Sequence, residues 1–310
     1  IPDTVYIRYG QEEGLGDSLD IPLITYPETI DVSDRGSYQI PCSLLGMLPL
    51  KNVQVETVED QWVCVSGNPV GLYMETQGVL IVDTGEITNQ NGIALEPAAN
   101  IVQPGDYILE VNGKTVSRKR ELIAEIENCQ GENVEMVVNR KGEEIPLSLE
   151  PVLTQEENYK LGIWVRDNTQ GIGTMTYVDE KGRFGALGHG ISDTDTGELL
   201  DVSGGELYQA QIVSIIRGAQ GVPGELSGYI EYEDEKKIGT IEKNTDIGIF
   251  GQIFSDTQIS GEKVKIGYKQ EVKKGKAQIL MQLEGKVEYY DIEITDIYSS
   301  QQDTNKSFQI

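Results

Sequence analysis

The chain has 310 residues, of which 38% are hydrophobic. This length predicts two domains, since single cores stop growing at roughly 250–300 residues. Its 25 basic and 51 acidic residues give a formal net charge of −26, which argues against nucleic acid and anionic membrane surfaces as direct partners. The sequence has no run of the roughly 18 apolar residues that a membrane-spanning helix needs.

The start of the chain and its cysteines leave its compartment open. Because the chain begins at Ile1 rather than at a methionine, we expect its natural start upstream, where a signal or membrane anchor would be out of view. Cys42, Cys64 and Cys129 have neither zinc-site spacing nor the pattern of a disulfide framework, although one bridge stays open. We expect neither a metal nor a cofactor.

Residues 1–50 mix short apolar clusters with Gly, Pro and Asp, which predicts a strand-rich N-terminal extension. Residues 51–152 have a more definite pattern. Ser117 is expected to cap a helix over about 118–129, and two alternating strands follow it. The helix would place four apolar residues on one face: Leu122, Ile123, Ile126 and Cys129. Asn112-Gly113 predicts a tight turn that needs positive φ.

The segment Pro104-Gly105-Asp106-Tyr107-Ile108-Leu109-Glu110-Val111-Asn112-Gly113 resembles the signature of PDZ domains, which have an α+β fold. The resemblance implies a peptide-binding domain over residues 51–152. It also implies that Gly71, Leu72, Tyr73 and Met74 form the loop whose backbone N–H groups hold a peptide carboxylate, with the following strand adding the peptide to the sheet edge. The alternative is a PDZ-like unit that only packs against its neighbour.

Residues 159–310 contain short alternating stretches separated by Gly, Asp and Asn, which predicts a mainly β domain, either a barrel or a sandwich. Dense motifs mark this region. They are Leu161-Gly162-Ile163-Trp164-Val165-Arg166-Asp167, Gly171-Ile172-Gly173-Thr174-Met175-Thr176, Phe184-Gly185-Ala186-Leu187-Gly188-His189-Gly190, Gly221-Val222-Pro223-Gly224-Glu225-Leu226-Ser227-Gly228, Lys243-Asn244-Thr245-Asp246-Ile247-Gly248-Ile249-Phe250-Gly251 and Lys274-Gly275-Lys276-Ala277-Gln278-Ile279-Leu280.

Together with the preceding PDZ-like unit, these motifs closely resemble the SpoIVB family of sporulation serine peptidases. The resemblance implies a chymotrypsin-like β-barrel endopeptidase that acts in signalling between the two cells of a developing endospore. Its substrate would be a membrane-anchored sporulation regulator. Its location would be the space between the forespore and mother-cell membranes, with the membrane reached only through an upstream anchor.

His189 is the only histidine of the chain. A zinc hydrolase of the His-Glu-x-x-His type needs two imidazoles, so the sequence excludes that class. The family resemblance implies that His189 is the general base of a serine peptidase. Gly188 and Gly190 fit this role, because they remove side chains that would crowd the approach of a nucleophile.

The nucleophile is where the sequence departs from the family. The family serine lies in a Gly-Met-Ser-Gly-Ser-Pro type motif, which this chain lacks, with an aspartate shortly before it. The segment 305–310 resembles the strand that precedes this motif. We therefore expect the nucleophile beyond Ile310, an incomplete barrel domain at the C-terminus, and an inactive chain as it stands.

Other candidates for the missing triad members are weaker. Ser203 lies in a faintly trypsin-like Asp-Ser-Gly-Gly pattern, but too close to His189 along the chain for a double barrel. The neighbouring Gly228 predicts that Ser227 is a turn residue. Asp246 is a candidate for the orienting acid, with an Asn-Thr-Asp turn as the commoner alternative.

Two further interpretations complete the set. The acidic stretch 193–198 resembles a calcium loop, but its glycine comes one residue early and Gly204 stands where a glutamate is needed, so a polar turn is favoured. The alternative to a peptidase is a PDZ peptide-binding scaffold joined to an inactive barrel. In both cases the partner is a protein, whether a substrate or a peptide segment at the PDZ groove.

Overall fold

The computed structural model describes residues 4–8, 24–25, 36–219, 224–257, 259, 261–283, 285–298 and 307–310. The chain divides into two compact units. One contains the described residues up to Val65 together with those in Gly261–Met281 and Glu288–Ile310, and the other those in Ser66–Ser260 and Gln282–Val287. This division does not follow the boundaries at residues 50, 152 and 159 that the sequence suggests, and those boundaries stay a prediction.

The described residues form 25 strands and one α-helix. The helix α1 is Lys119–Asn128, and short 3-10 helices lie at Asp234–Lys236 and Lys269–Glu271. In chain order the strands are β1 Thr4–Arg8, β2 Ile24–Thr25, β3 Ser37–Leu44, β4 Leu48–Val58, β5 Trp62–Val65, β6 Pro69–Thr84, β7 Ile87–Thr88, β8 Ala94–Leu95, β9 Tyr107–Val111, β10 Lys114–Thr115, β11 Val134–Arg140, β12 Glu143–Leu149, β13 Val152–Leu153, β14 Tyr159–Lys160, β15 Ile163–Asp179, β16 Arg183–Ala186, β17 Val202–Ile216, β18 Glu225–Ile230, β19 Lys237–Thr245, β20 Gly248–Ile253, β21 Lys263–Lys265, β22 Gly275–Gln282, β23 Val287–Ile294, β24 Asp296–Ile297 and β25 Phe308–Gln309.

A closed six-stranded antiparallel barrel forms much of the second unit. Its strands follow one another in the order β6, β17, β19, β20, β16 and β15, and β15 pairs with β6 again. Alternate residues point into it, as the two-residue period of a strand requires. Its core contains Val70, Leu72, Met74, Met175, Val178, Phe184, Ala186, Leu207, Ile241 and Ile249. The prediction of a mainly β protein with a barrel is confirmed.

The PDZ domain is built between β6 and β15 of the barrel. Its sheet has the order β15, β6, β9, β11 and β12, so the second half of β6 and the first part of β15 belong to it. The helix α1 covers this sheet with Leu122 and Ile126 buried, whereas Ile123 remains 51% exposed. The predicted helix is confirmed within one residue at each end, but its N-cap residue is Arg118 rather than the predicted Ser117.

Local chemistry explains why these elements form. Glu121 caps the start of α1, because its carboxylate accepts hydrogen bonds from the N–H groups of Ser117 and Arg118, at 2.9 and 3.1 Å. Asn112 and Gly113 both have positive φ, as the predicted tight turn requires.

Asp106 of the PDZ signature is buried and accepts two hydrogen bonds of 2.7 Å from Arg140. These bonds raise the pKa of Arg140 above its usual value. Asp106 also accepts the Gln103 N–H at 2.9 Å, so the signature aspartate closes its own loop as well as pairing with β11.

The first unit has a smaller sheet in which β1 pairs in parallel with β4, and β4 and β3 are antiparallel neighbours. Its core comprises Val5, Ile7, Ile40, Cys42, Val53 and Val55. All three cysteines of the chain are free thiols, so the bridge that the sequence left open is not formed. No helix among the described residues is long and apolar enough to span a membrane.

Candidate functional site

His189 lies three residues beyond the end of β16 and is exposed. Its Nδ1 atom is 2.8 Å from the carbonyl oxygen of Gly190. A carbonyl only accepts, so this hydrogen bond requires the proton on Nδ1 and leaves the lone pair of Nε2 free in a neutral imidazole. The ring is therefore arranged to accept a proton at Nε2, with a backbone carbonyl rather than a carboxylate as its orienting partner. Within the described ranges, no acidic side chain hydrogen-bonds to His189.

The two glycines beside His189 have different roles. Gly188 has φ +78° and open space where a Cβ would be, so its backbone conformation is what requires glycine. A Cβ on Gly190 would lie 2.5 Å from the carbonyl oxygen of Thr245 and 2.3 Å from Leu199. Gly190 is thus needed for close packing against the turn between β19 and β20. Close packing therefore accounts for Gly190, and the prediction that these glycines clear the approach of a nucleophile stays a prediction for Gly188.

Asn244 fixes the backbone beyond His189, and sequence reasoning missed it. Its Oδ1 accepts from the N–H of Ile191 at 2.9 Å, and its Nδ2 donates to the carbonyls of Ile191 and Leu200 at 2.7 and 2.8 Å. Both ends of the loop that joins β16 to β17 are therefore held by one side chain of β19. A signal was present in the sequence, because Asn244 belongs to one of the dense motifs of this region.

Asp246 lies in the turn between β19 and β20 and is exposed. The neighbouring Thr245 approaches Gly190, so this turn and the histidine lie at the same end of the barrel. No hydrogen bond joins Asp246 to His189 in the described part of the chain. Its role as the orienting acid stays a prediction.

The acidic loop 193–198 is an internally bonded turn. The Asp193 side chain is 1% exposed, and its Oδ1 accepts the N–H groups of Asp195 and Thr196 at 2.9 and 3.0 Å. Its Oδ2 accepts from Arg166 of β15, which also donates to Asp195 at 2.7 Å. Both carboxylate oxygens of Asp193 are therefore occupied by donors of the chain itself, which is the arrangement of a polar turn.

The loop beyond His189 also packs against the PDZ domain. Leu200 shares a small buried cluster with Leu80 and Tyr107, and Ile191 packs against this cluster. The Tyr107 hydroxyl accepts a hydrogen bond from the Asp201 N–H at 3.0 Å, and burial raises the pKa of this phenol. The histidine loop thus has attachments on the barrel and on the PDZ domain.

The two serines considered from sequence lie on strands. Ser203 of β17 donates to the carbonyls of Glu75 and Thr76, each at 3.3 Å, and Ser227 of β18 is paired with Ser214. Neither serine hydrogen-bonds to His189 within the residues that the structure describes. The structure therefore brings neither of these two candidate serines into hydrogen-bonding contact with the histidine.

The predicted carboxylate loop needs correction. Gly71, Leu72, Tyr73 and Met74 lie in the first half of β6, where they pair with β15 on one side and β17 on the other. Leu72 and Met74 are buried in the barrel core. With both strand edges paired inside a closed barrel, this segment offers no free row of N–H groups to a peptide.

The groove of the PDZ domain lies elsewhere. A groove of about 730 Å³ runs between α1 and the start of β15. Apolar residues of both elements line it: Leu122, Ile123 and Ile126 from the helix, and Ile163, Trp164 and Val165 from the strand. The stretch Ile163–Val165 pairs with β6 along one edge, and β16 pairs with β15 only farther along, at Met175–Val178.

The sequence contains a signal for this groove. Leu161-Gly162-Ile163 leads into the lining strand with the same glycine and apolar pattern as Gly71-Leu72. Gly162 has φ +68°, and a Cβ there would lie 2.6 Å from the carbonyl oxygen of Gly85, so only glycine fits this turn. The predicted boundaries of the PDZ domain exclude this motif and place it in the peptidase region instead.

These features define a class of protein in which a PDZ domain is inserted between two strands of a β-barrel that carries one exposed histidine. The family model of SpoIVB peptidase S55 matches residues 157–310, and the model of a PDZ domain matches residues 96–140. The resemblance stated from the sequence is thereby confirmed, with a PDZ domain followed by a SpoIVB peptidase S55 region. Similarity to this family supports a serine peptidase.

Proposed function

We propose that this chain carries the general base of a SpoIVB-type serine endopeptidase. The observation that supports the proposal most is the state of His189, which is exposed, bonded through Nδ1 to Gly190, and free at Nε2. A serine peptidase uses the imidazole in this way, with one nitrogen oriented and the other taking the proton of the nucleophile. The match to the SpoIVB peptidase S55 family agrees with that chemistry.

The nucleophilic serine is expected in sequence that follows Ile310. The Ser203 hydroxyl is hydrogen-bonded to backbone carbonyls, Ser227 lies on a paired strand, and neither hydrogen-bonds to His189 among the described residues, so we do not propose either as the nucleophile. The triad acid has the same expected origin, with Asp246 as the candidate within this chain. In this proposal, His189 activates a serine that the extended protein would supply.

By similarity to the family, we further propose a role in endospore formation. The substrate would be a membrane-anchored sporulation regulator, and the site of action would be the space between the forespore and mother-cell membranes. Direct contact with the membrane would come only from an upstream anchor. The high negative charge of the chain fits this division, because anionic lipid would repel it.

A second candidate function is peptide binding without catalysis, and the PDZ groove favours it. An extended peptide could add to the edge of Ile163–Val165, with its side chains against α1. In this case the barrel would serve as a scaffold. The two functions are compatible, because a PDZ groove can recruit the substrate that a peptidase cleaves.

A fluorophosphonate probe distinguishes these functions. We expect no labelling of the 310-residue chain, and labelling of one serine in a protein extended by its natural sequence beyond Ile310. His189→Ala should abolish that labelling, while Ser203→Ala should leave it intact. An extended protein that is not labelled would exclude the peptidase in favour of the scaffold, and labelling that survives His189→Ala would exclude His189 as the base.

A further inference from the structure

Arg166 lies at the point where β15 passes from the PDZ domain into the barrel. The pairing of β15 with β6 shifts register on each side of it, between Trp164 and Val165 and again between Arg166 and Asn168. Such irregularities bend a strand and redirect its side chains. Arg166 pairs with Leu80 of β6 between these two irregularities, and its guanidinium reaches the loop beyond His189.

The contact that Arg166 makes there is forked. One guanidinium nitrogen donates to Asp193 and the other to Asp195. The Asp193 side chain is almost wholly buried, whereas that of Asp195 is 51% exposed. A buried carboxylate is stable only when it is paired, and the planar fork of arginine can satisfy two carboxylates at once where a lysine would supply a point charge.

The loop transmits this attachment to the histidine segment. Asp193 donates its N–H to the carbonyl of Glu198 at 2.9 Å, and Ser192 and Leu199 form an isolated β-bridge. These contacts close the loop into a compact hairpin. The hairpin begins at Ile191, where Asn244 holds the backbone two residues from His189.

We propose that Arg166 is a positioning residue for His189. By binding Asp193 and Asp195, it ties the histidine loop to the strand that lines the PDZ groove and thereby fixes the conformation of the His189 backbone. The inference rests on the proposed function only in regarding His189 as the base. The attachment itself is a property of the described residues and can be tested without any turnover.

The single histidine makes the test direct, because its imidazole gives one set of NMR signals with no overlap. We would record the imidazole signals of His189 across a pH series and amide hydrogen exchange along the chain for Arg166→Lys. We expect the imidazole signals to move toward random-coil positions and the amides of residues 191–200 to exchange about tenfold faster or more, with β6 unchanged. Asp195→Asn, which removes only the negative charge of the exposed partner, should give the same changes at smaller size.

Arg183→Lys is the matched control. Arg183 lies on β16, which leads into the His189 segment, and it forms a similar pair with Asp179 at 2.7 Å, but it does not touch the loop. We expect it to leave both readouts unchanged. Unchanged signals in Arg166→Lys, or equal changes in Arg166→Lys and Arg183→Lys, would overturn the positioning role.

The rate of fluorophosphonate labelling gives a second readout in the protein extended beyond Ile310. Arg166→Lys should slow fluorophosphonate labelling about tenfold without changing the thermal midpoint of unfolding by more than the control does. If His189→Ala were labelled normally while the NMR changes occurred as expected, the proposed function would fail and the positioning role would stand. If labelling depended on His189 while the NMR signals of Arg166→Lys did not move, only the positioning role would fail.

Discussion

The two halves of the β6–β15 ribbon differ in how their edges are used. In the barrel half, Gly71–Met74 pairs on both sides, and its apolar side chains are buried in a closed core. In the PDZ half, the edge of Ile163–Val165 opposite β6 lines a groove beside α1. Both halves contain a glycine followed by apolar residues, yet only the second is suited to bind an extended peptide. In the proposed peptide-binding role, the availability of a strand edge, rather than the motif, would decide which segment recognises a partner.

The largest expected loss of stability tests whether the barrel half of β6 has a structural role. Leu72 is 1% exposed and packs in the barrel core, so Leu72→Ala should lower the free energy of unfolding by about 2–5 kcal/mol. Urea unfolding of the variant and the parent measures this loss. A change below about 0.5 kcal/mol, the size typical of surface substitutions, would contradict the core position and reopen a role in a loop.

A charged side chain introduced into the groove tests whether the PDZ half binds a peptide. Ile123 is 51% exposed on α1 and lines the groove, so Ile123→Glu should change stability little and weaken peptide binding about tenfold or more. Peptides that bind the parent are first selected from a library with free C-termini. Each selected peptide is then titrated into protein that carries Trp62→Phe, and binding is followed by the fluorescence of Trp164. Trp164 is 66% exposed at the groove and reports on its occupancy.

Ile93→Glu is the matched control for this substitution. Ile93 is 55% exposed and lies outside the lining of the groove. It should leave peptide affinity unchanged. Equal losses in both variants would show that added negative charge acts at long range, and selected peptides that bind Ile123→Glu as they bind the parent would place their site away from this groove.

The smallest expected change in stability comes from the ion pair between Glu206 of β17 and Lys237 of β19. Hydrogen bonds from Lys237, and then from Tyr208, hold the pKa of Glu206 below its ordinary value. A carboxyl whose pKa is lowered by folding stabilises the protein above its unfolded-state pKa and loses that contribution as the pH falls through the folded-state value. Glu206→Gln should therefore be less stable than the parent at pH 7 and approach it below about pH 4, as thermal unfolding over a pH series would show.

Much of the fold was predictable because it follows from local rules. The helix near residue 120, the turn at Asn112-Gly113 and the alternating strands reflect capping, positive φ and side-chain period. The resemblance to the PDZ and SpoIVB families was likewise readable from contiguous motifs. The position of the groove was not, because it depends on which strand edge stays unpaired after the barrel closes.

In the candidate site, too, the features that follow from a local motif were predictable and the long-range contacts were not. His189 was found from its uniqueness and its motif. The contacts of Asn244 with Ile191 and of Arg166 with Asp193 were not foreseen, because they join residues 53 and 27 positions apart. Long-range polar contacts of this kind leave no periodic pattern in a single sequence.

The central claim is that His189 is held with Nε2 free to accept a proton. A long-range ¹H–¹⁵N spectrum of protein labelled at histidine measures the tautomer directly, and one histidine gives one pattern. At about pH 9, where an imidazole is generally neutral, we predict the proton on Nδ1, donated to the carbonyl of Gly190. A spectrum with the proton on Nε2 would contradict the proposed base.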